Sequence, residues 1–306
     1  MSSIVTNASA MTALKSLSMT NKNLEMTQAR ISTGLRVNEA SDNAAYWSIA
    51  TTMRSDNKAL STVQDALGLG AAKLDVAYTG LNQAIEVVDE IKAKLVAATE
   101  PGVDKAKIQS EITALQSQLT SNAGAASFSG ENWLSVDSSA ADYAATKSIV
   151  ASFTRASDGS VSVGTIDIDI TSTELFDAND QSGILDTEFT TTGAGAVTVS
   201  VSTLDITAAN IDDTDIAEMI SAVDSALTSM ATAAADLGAS KKRVDLQKDF
   251  VSNLQDAITR GVGQLVDADM NQESTRLQAL QVQQQLGIQA LSIANSNSQS
   301  ILSLFR

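Results

Sequence analysis

Hydrophobic residues recur every seven positions over a long stretch of the first third of the chain. One series is Leu60, Leu67, Leu74, Leu81, Val88 and Leu95, and the alternate series is Val63, Gly70, Ala77, Ala84 and Ile91. Heptad spacing of this kind places both series on one stripe of a helix. The pattern therefore predicts a helix of about 35–40 residues. It should end at Pro101-Gly102, because proline disfavours helix in the residue before it.

A second heptad series lies near the other end, with a shorter helical pattern between the two. The long series is Ile216, Val223, Met230, Leu237, Val244, Val251, Ile258 and Leu265, and the short one is Ile108, Ile112, Leu115 and Leu119. Helices that carry such seams bury them against each other. We expect a mainly α fold in which the two long helices pack seam to seam and the short helix completes an antiparallel bundle.

Both termini carry weaker apolar stripes. These are Ala10, Leu17, Leu24 and Ile31 at the start, and Leu277, Leu280, Leu291, Ala294, Ile301 and Phe305 at the end, where Gln284, Gly287 and Ser298 interrupt the stripe. Isolated helices of this kind are marginal in water and gain order by packing. With no internal partner evident, we predict that they pack against further copies of the chain. The expected innermost contacts are Leu17, Leu24, Ile31, Leu280, Leu291, Ile301 and Phe305.

The middle of the chain has a different period. Val161/Val163, Ile166/Ile168/Ile170 and Val197/Val199/Val201 alternate with polar residues, as half-buried strands do. Residues 131–218 hold 2 basic against 16 acidic residues, a net −14 out of −16 for the whole chain. We expect a small acidic β-rich unit at 136–208, inserted between the helical halves.

Composition excludes several classes of function. With no cysteine or histidine, the chain has no disulfide, no thiol or Ser-His-Asp catalysis and few routes to a transition-metal site. The acidic charge disfavours nucleic acid and anionic membranes as partners. The start lacks a signal peptide's basic and apolar regions, which alone favours the cytoplasm. We expect no enzyme activity and no cofactor.

One acidic segment has partial calcium-loop spacing. Residues 177–188 place Asp, Asn, Gln and Glu at oxygen-ligand positions, but Ser182 stands where such loops need glycine, and flanking helices are missing. The segment is therefore interpreted as a solvated acidic loop, and no metal is expected.

Both ends carry motifs of a known family. The stretch Arg-Ile-Ser-Thr-Gly-Leu-Arg-Val-Asn-Glu-Ala-Ser-Asp-Asn-Ala-Ala at 30–45 closely resembles the amino-terminal signature of bacterial flagellins. The carboxyl end is similar to theirs in Val-Asp-Ala-Asp at 266–269, Gln-Gln-Gln-Leu-Gly at 283–287 and the final Leu-Ser-Leu-Phe-Arg. The resemblance covers roughly residues 1–133 and 215–306, in the family's order.

The resemblance implies a filament subunit in three parts. A terminal coiled-coil domain of paired N- and C-terminal helices would comprise 1–42 with 265–306, a helical bundle 43–135 with 209–264, and a variable outer domain 136–208. A connector would include Gly34, Arg36, Asn38, Asp42 and Asn43, with Gly34 in left-handed backbone where the first helix stops. Type III export without a cleaved signal would make the protein extracellular. Expected partners are the chain itself, other flagellins, an export chaperone, and hook-associated and cap proteins.

Two departures from the family bear on immune recognition. Asn43, Tyr46 and Trp47 stand where many flagellins have Asp, Gly and Leu, in a segment that plant receptors read. Where animal receptors read an Arg-Glu-Leu-Ala-Val-Gln-like turn, the chain has Lys92, Ala93, Lys94, Leu95, Val96 and Ala97. We predict weak activation of both receptor classes.

Three other functions compete with the filament subunit. A hook–filament junction protein shares the terminal signatures, although it caps rather than polymerises. An adhesin-like binding protein could display the acidic unit on a helical stalk. An enzyme is the most remote alternative.

Overall fold

The computed structural model describes residues 7–141 and 143–303, with side chains described up to residue 296. The described chain is mostly helical. Its helices are α1 (Ala8–Thr33), α2 (Ala44–Ala98), α3 (Lys105–Ala125), α4 (Asp213–Val266) and α5 (Met270–Ser303). The chain forms two compact units, one comprising 1–58 with 255–306 and the other 59–254. Among the described helices, none is long and apolar enough to cross a membrane.

The heptad seams form the core of unit 59–254, as predicted. Leu67, Leu74 and Leu81 of α2 have no exposed surface, and Val223 and Met230 of α4 are equally buried. Each buried side chain of this size contributes roughly 1.5–3 kcal/mol relative to an exposed one. Burial of the seam therefore stabilises this unit strongly.

Ion pairs at the edges of the seam show that α2 and α4 run in opposite directions. Lys92 pairs with Asp224, whereas Asp75, nearer the start of α2, pairs with Lys241, nearer the end of α4. The order of partners is thus reversed along the two helices. Exposed pairs contribute little energy, so the burial of the seam, and not these charges, holds the helices together.

The bounds of α2 differ from the sequence prediction. It comprises 55 residues instead of about 40, because helix continues upstream of Leu60 as far as Ala44. The residues between carry no strong heptad signal, but none is a proline or glycine that would stop a helix. At the other end α2 stops at Ala98, just before Pro101, as predicted.

The short helix α3 packs through a face that is only partly apolar. Ile108, Ile112 and Leu119 are buried, as expected. Gln116 is buried with them, and its side-chain amide donates to the carbonyls of Val201 and Leu204 at 3.1 Å each. These bonds satisfy a polar group that would otherwise be costly to bury. They also fix the chain that leads out of the middle region.

The middle region contains one long hairpin and several short strand pairs. The hairpin joins β4 (Thr146–Arg155) to β5 (Val161–Asp169), with a bulge at Val150/Ser152. The short pairs are β1 (Ser127–Phe128) with β2 (Glu131–Asn132), β3 (Ser135–Val136) with β6 (Phe176–Asp177), and β7 (Phe189–Thr190) with β8 (Thr198–Val199). A small β-containing region in the middle of the chain is therefore confirmed.

Two details of the predicted strands are wrong. Ile166 and Ile168 are buried, but Val161 and Val163 are 50% and 57% exposed. Alternation with period two puts odd and even positions on opposite faces of β5, so the two groups could not share a buried face. The expected strand at 197–201 is also short, because β8 ends at Val199 and a 3₁₀ turn follows at Val201–Thr203.

The hairpin is held against both long helices. Ile149 of β4 lies over Gly70 of α2, where an added Cβ would be only 2.5 Å from its Cγ2 atom. The Gln247 side chain of α4 donates to the carbonyl of Ala151 at 2.9 Å. The missing side chain at Gly70 is therefore what lets β4 approach α2.

The amino end of α4 is covered by a polar loop. Gly195 and Asp212 donate backbone N–H groups to the carboxylate of Asp215, at 2.9 and 3.1 Å. Together with the Thr191 hydroxyl, which contributes most, these groups lower the pKa of Asp215 to about 2. A carboxylate that stays charged in the first turn stabilises the helix, because the amino end of the helix dipole is positive.

In the acidic segment 177–188, the carboxylate of Asp177 holds the backbone in place. Asp177 accepts the backbone N–H groups of Ser138 and Asn179, both at 3.0 Å. Over residues 7–141 and 143–303, no group of three or more acidic side chains could hold a metal ion.

Candidate assembly interface

The terminal helices α1 and α5 pack together in opposite directions. At one end, the Asn7 side chain donates to the carbonyl of Ala294 at 2.9 Å. At the other end, Arg30 forms an ion pair with Glu273 at 3.2 Å, and Glu273 is only 6% exposed. Each terminal stripe therefore has its partner inside the same chain.

Two of the residues that interrupt the apolar stripe of α5 lie in this seam and contact α1. Gly287 leaves room for Leu17, whose Cδ1 atom lies 3.2 Å from where a Cβ on Gly287 would be. Gln284 donates its side-chain amide to the side-chain oxygen of Asn21 at 2.8 Å. The glycine and the glutamine therefore match particular residues of α1.

The structure places the predicted contact residues in this internal seam. Leu17, Leu24, Ile31 and Leu291 are partly buried, and Leu280 is buried. Phe305 and the side chain of Ile301 lie outside the described residues. The pairing of the N- and C-terminal helices that the resemblance implies is confirmed. Two stripes that are each marginal alone cover one another, so an internal partner exists although the stripes themselves did not reveal it. A role of these residues in contacts between subunits stays a prediction.

Each terminal helix also carries a second apolar stripe, which the sequence analysis missed. At 3.6 residues per turn, Met11, Met19 and Met26 lie on the side of α1 away from Leu17 and Leu24, and Val282, Leu286 and Ile293 lie on the side of α5 away from Leu280. All six are at least half exposed. Leu14 and Ile288 are equally exposed but lie at the flanks of the seam, within about 80° of Leu17 and Leu280 around their helices.

The pair buries little by itself. Of the described residues of α1, Thr27 alone is buried, and on α5 only Glu273 and Leu280 are. Exposed apolar side chains arranged in continuous stripes mark surfaces that other proteins cover. The two outer stripes are therefore the candidate assembly interface.

The connector after α1 is fixed by backbone hydrogen bonds. Gly34 caps α1 in left-handed backbone (φ 72°), and its N–H donates to the carbonyl of Arg30, as expected for a glycine cap. Its own carbonyl accepts the N–H of Ala268 at 2.9 Å. Arg36 donates its backbone N–H to Val266 and its guanidinium to the carbonyl of Leu265. The ends of α1 and α4 are thereby joined.

The rest of the connector turns the chain into α2. The Asp42 carboxylate accepts the N–H groups of Asn38 and Glu39, at 3.0 and 3.1 Å, and these bonds lower its pKa. The Asn43 side chain caps α2 by accepting the N–H groups of Ala45 and Tyr46. A small apolar cluster of Val37, Ala50, Val262 and Val266 lies within the same unit.

The segment compared with animal-receptor sites is a regular part of α2. Leu95 is fully buried, whereas Ala93 is exposed and Val96 is 50% exposed. Lys92 pairs with Asp224 and Lys94 with Glu111, and each ion pair raises the pKa of its lysine. Both cations are thus engaged within the subunit.

A chain with long helices, paired termini and uncovered apolar stripes belongs to the class of self-assembling structural proteins. Comparison with known proteins agrees. Residues 4–139 match the bacterial flagellin N-terminal helical region, and residues 220–305 match the bacterial flagellin C-terminal helical region. The chain is 54% identical to Flagellin C of Rhizobium meliloti strain 1021 and 51% identical to a flagellin of Brucella melitensis, with both chains covered completely in each case.

The chain therefore belongs to the bacterial flagellin family. It is a structural subunit of the extracellular flagellar filament, which drives motility. The junction-protein and adhesin alternatives are not favoured.

Proposed function

We propose that the subunit polymerises through the outer stripes of α1 and α5. The observation that carries this proposal is the exposure of six large apolar side chains on the outer faces of a helix pair whose inner faces are already engaged. A contact between non-equivalent surfaces of identical chains repeats without closing and generates a helical polymer. In this proposal Leu17, Leu24, Ile31, Leu280 and Leu291 hold the two helices together so that the outer stripes form one surface. A contact of these residues, and of Ile301 and Phe305, with neighbouring subunits stays a prediction.

We infer that the terminal helices complete their ordering during assembly. The pair buries only a few side chains, and fixing each backbone residue costs about 1–2 kcal/mol. Covering the outer stripes in the polymer offsets that cost. A monomer with weakly ordered ends stays soluble until a growing filament end offers a surface. The three-part division into 1–42 with 265–306, 43–135 with 209–264, and 136–208 belongs to this proposal.

The connector would hold the start of α2 beside the ends of α1 and α4. Gly34, Arg36, Asn38, Asp42 and Asn43 all take part in backbone or capping hydrogen bonds there. An export chaperone, hook-associated and cap proteins, and co-assembled flagellins are proposed as further partners because the family resemblance implies them.

Replacing Leu286 with glutamate tests the proposed interface. Leu286 is 57% exposed and faces away from α1, so we expect the Leu286→Glu monomer to keep its fold. In the polymer the carboxylate would be buried without a partner, which should lower the equilibrium constant for subunit addition by about a hundredfold or more. Seeded elongation, followed by light scattering and electron microscopy, measures the effect.

The conservative variant Leu286→Met is the matched control, and it should elongate like the unmodified chain because it keeps the apolar volume. Normal filaments from folded Leu286→Glu would remove the outer stripe of α5 from the interface.

We propose that the segment Lys92, Ala93, Lys94, Leu95 and Val96 is a poor ligand for animal innate receptors. Its lysines are paired within the subunit, and Leu95 is inaccessible. Purified monomer should give a weak response in a receptor reporter assay, and so should the plant-type segment with Asn43, Tyr46 and Trp47. A full response in either assay contradicts this prediction.

A further inference from the structure

The methionines of the described residues differ widely in exposure, and Met270 of α5 is 43% exposed whereas Met53 is partly buried against the cluster around Val37. Met11, Met19 and Met26 are 65%, 59% and 50% exposed, and all three lie on the outer face of α1. Met219 and Met230 of α4 have no exposed surface. Oxidants in solution can therefore reach the thioethers of the proposed interface, while those of the bundle core are shielded.

We propose that Met11, Met19 and Met26 form an oxidation-sensitive modification site that controls subunit addition. The proposal rests on the outer stripe of α1 being part of the assembly interface. A peroxide is the oxidant class: its O–O bond breaks, one oxygen forms an S=O bond with the thioether, and the other leaves as water or an alcohol. Sulfur is oxidised by two electrons and the peroxide is reduced by two.

The modification changes the interface without disturbing the fold of the monomer. Methionine is apolar and adaptable, whereas its sulfoxide is polar and accepts hydrogen bonds. The three thioethers face away from the seam with α5, so their oxygens stay hydrated in the monomer. In the polymer they would be buried among apolar side chains, which is costly without a donor. Oxidised subunits should therefore remain folded and fail to add.

Oxidation of these methionines can be reversed, because their exposed side chains are accessible to an enzyme. Methionine sulfoxide is the step on the oxidation ladder that reductases restore to the thioether. Exposure on the outer face of a helix pair leaves the sulfoxide open to such an enzyme before assembly. After assembly the same side chains would be covered and protected from oxidant.

Hydrogen peroxide treatment of the full-length monomer, with peptide mass mapping, tests the proposal. Oxygen should be added at Met11, Met19 and Met26 before Met219 and Met230. Seeded elongation should fall by about tenfold or more, the circular dichroism spectrum should not change, and methionine sulfoxide reductases should restore elongation. In preformed filaments the same three residues should oxidise about tenfold more slowly, because they are covered. Oxidation at equal rates in monomer and filament would overturn the proposal.

The matched variant carries Met11→Leu, Met19→Leu and Met26→Leu. Leucine keeps the apolar volume but has no sulfur, so elongation of this variant should resist peroxide. An equal loss of elongation after treatment would place the sensitive residue elsewhere and overturn the proposal. The untreated variant should elongate like the unmodified chain, because leucine keeps the outer face of α1 apolar. The filament-protection measurement separates the two ideas: no protection would contradict the proposed interface, whereas protection together with undiminished elongation of oxidised monomer would overturn the oxidation proposal alone.

Discussion

We expect a chain shortened to residues 34–269 to fold but not to elongate filaments. This variant lacks α1 and α5 and, with them, both outer stripes. It keeps the seam of unit 59–254, in which Leu67, Leu74 and Leu81 are fully buried. It also keeps the Val37, Ala50, Val262 and Val266 cluster. Both helices must be removed together, because deleting one would expose the seam stripe of the other.

Two measurements separate folding from assembly in this variant. Thermal unfolding followed by circular dichroism should remain cooperative, and elongation from filament seeds should be abolished. The full-length chain, purified in the same way, is the control. Growth of the shortened chain at the full-length rate would show that the terminal pair is dispensable for assembly. Loss of cooperative unfolding would show that the bundle depends on the terminal helices.

Substitution of Gly70 by alanine lowers the stability of the bundle, whereas the same change at Gly68 raises it. A Cβ at Gly70 would lie 2.5–3.0 Å from three atoms of Ile149, a buried residue of β4. Overpacking of a core typically costs about 1–3 kcal/mol. At Gly68 no atom lies within 4 Å of the added Cβ, so the variant gains only helix propensity, about 1 kcal/mol.

The two glycines form a matched pair because they lie in the same helix two residues apart. Both variants share the propensity gain, so the free energies of unfolding should differ by about 1–3 kcal/mol, the cost at Ile149 alone. Urea unfolding of the two proteins measures that difference. Equal stabilisation by both substitutions would mean that the β4–β5 hairpin does not rest on α2 at Gly70.

The helical part of the fold could be predicted because its signal is local. A seven-residue period specifies a buried stripe along one helix, and Leu60 to Leu95 and Ile216 to Leu265 kept that period throughout. The glycine cap at Gly34 could also be predicted from the sequence, since few other residues tolerate φ of 72°. The extension of α2 upstream to Ala44 was missed because its first residues pack too loosely to show a period.

The middle region was harder to predict because its contacts join residues distant along the chain. Gln116 looks like a solvent-facing polar residue until Val201 and Leu204 supply its acceptors. Strand β4 was missed although Ile149, Ala151 and Phe153 alternate within it. The bulge between Val150 and Ser152 makes the strand irregular at this point. The space for Ile149 depends on Gly70, which lies in α2, far away in the sequence.

The candidate interface was missed for a different reason. An amphipathic helix has one apolar face, and the heptad stripe through Leu17 and Leu24 already supplies that face on α1. Val282, Leu286 and Ile293 repeat at helical spacing as well, but on the opposite face. When a helix carries apolar residues on two opposite faces, its sequence no longer shows one apolar and one polar side. The amphipathic pattern is then too weak to reveal either stripe clearly.

A filament reconstruction by electron cryomicroscopy, at a resolution that shows side chains, tests the central claim most directly. The account predicts that Leu17 and Leu280 contact residues of their own chain, while Met19, Leu286 and Ile293 contact neighbouring subunits. Outer stripes that face solvent in the filament, with the seam residues joining different subunits instead, would contradict it.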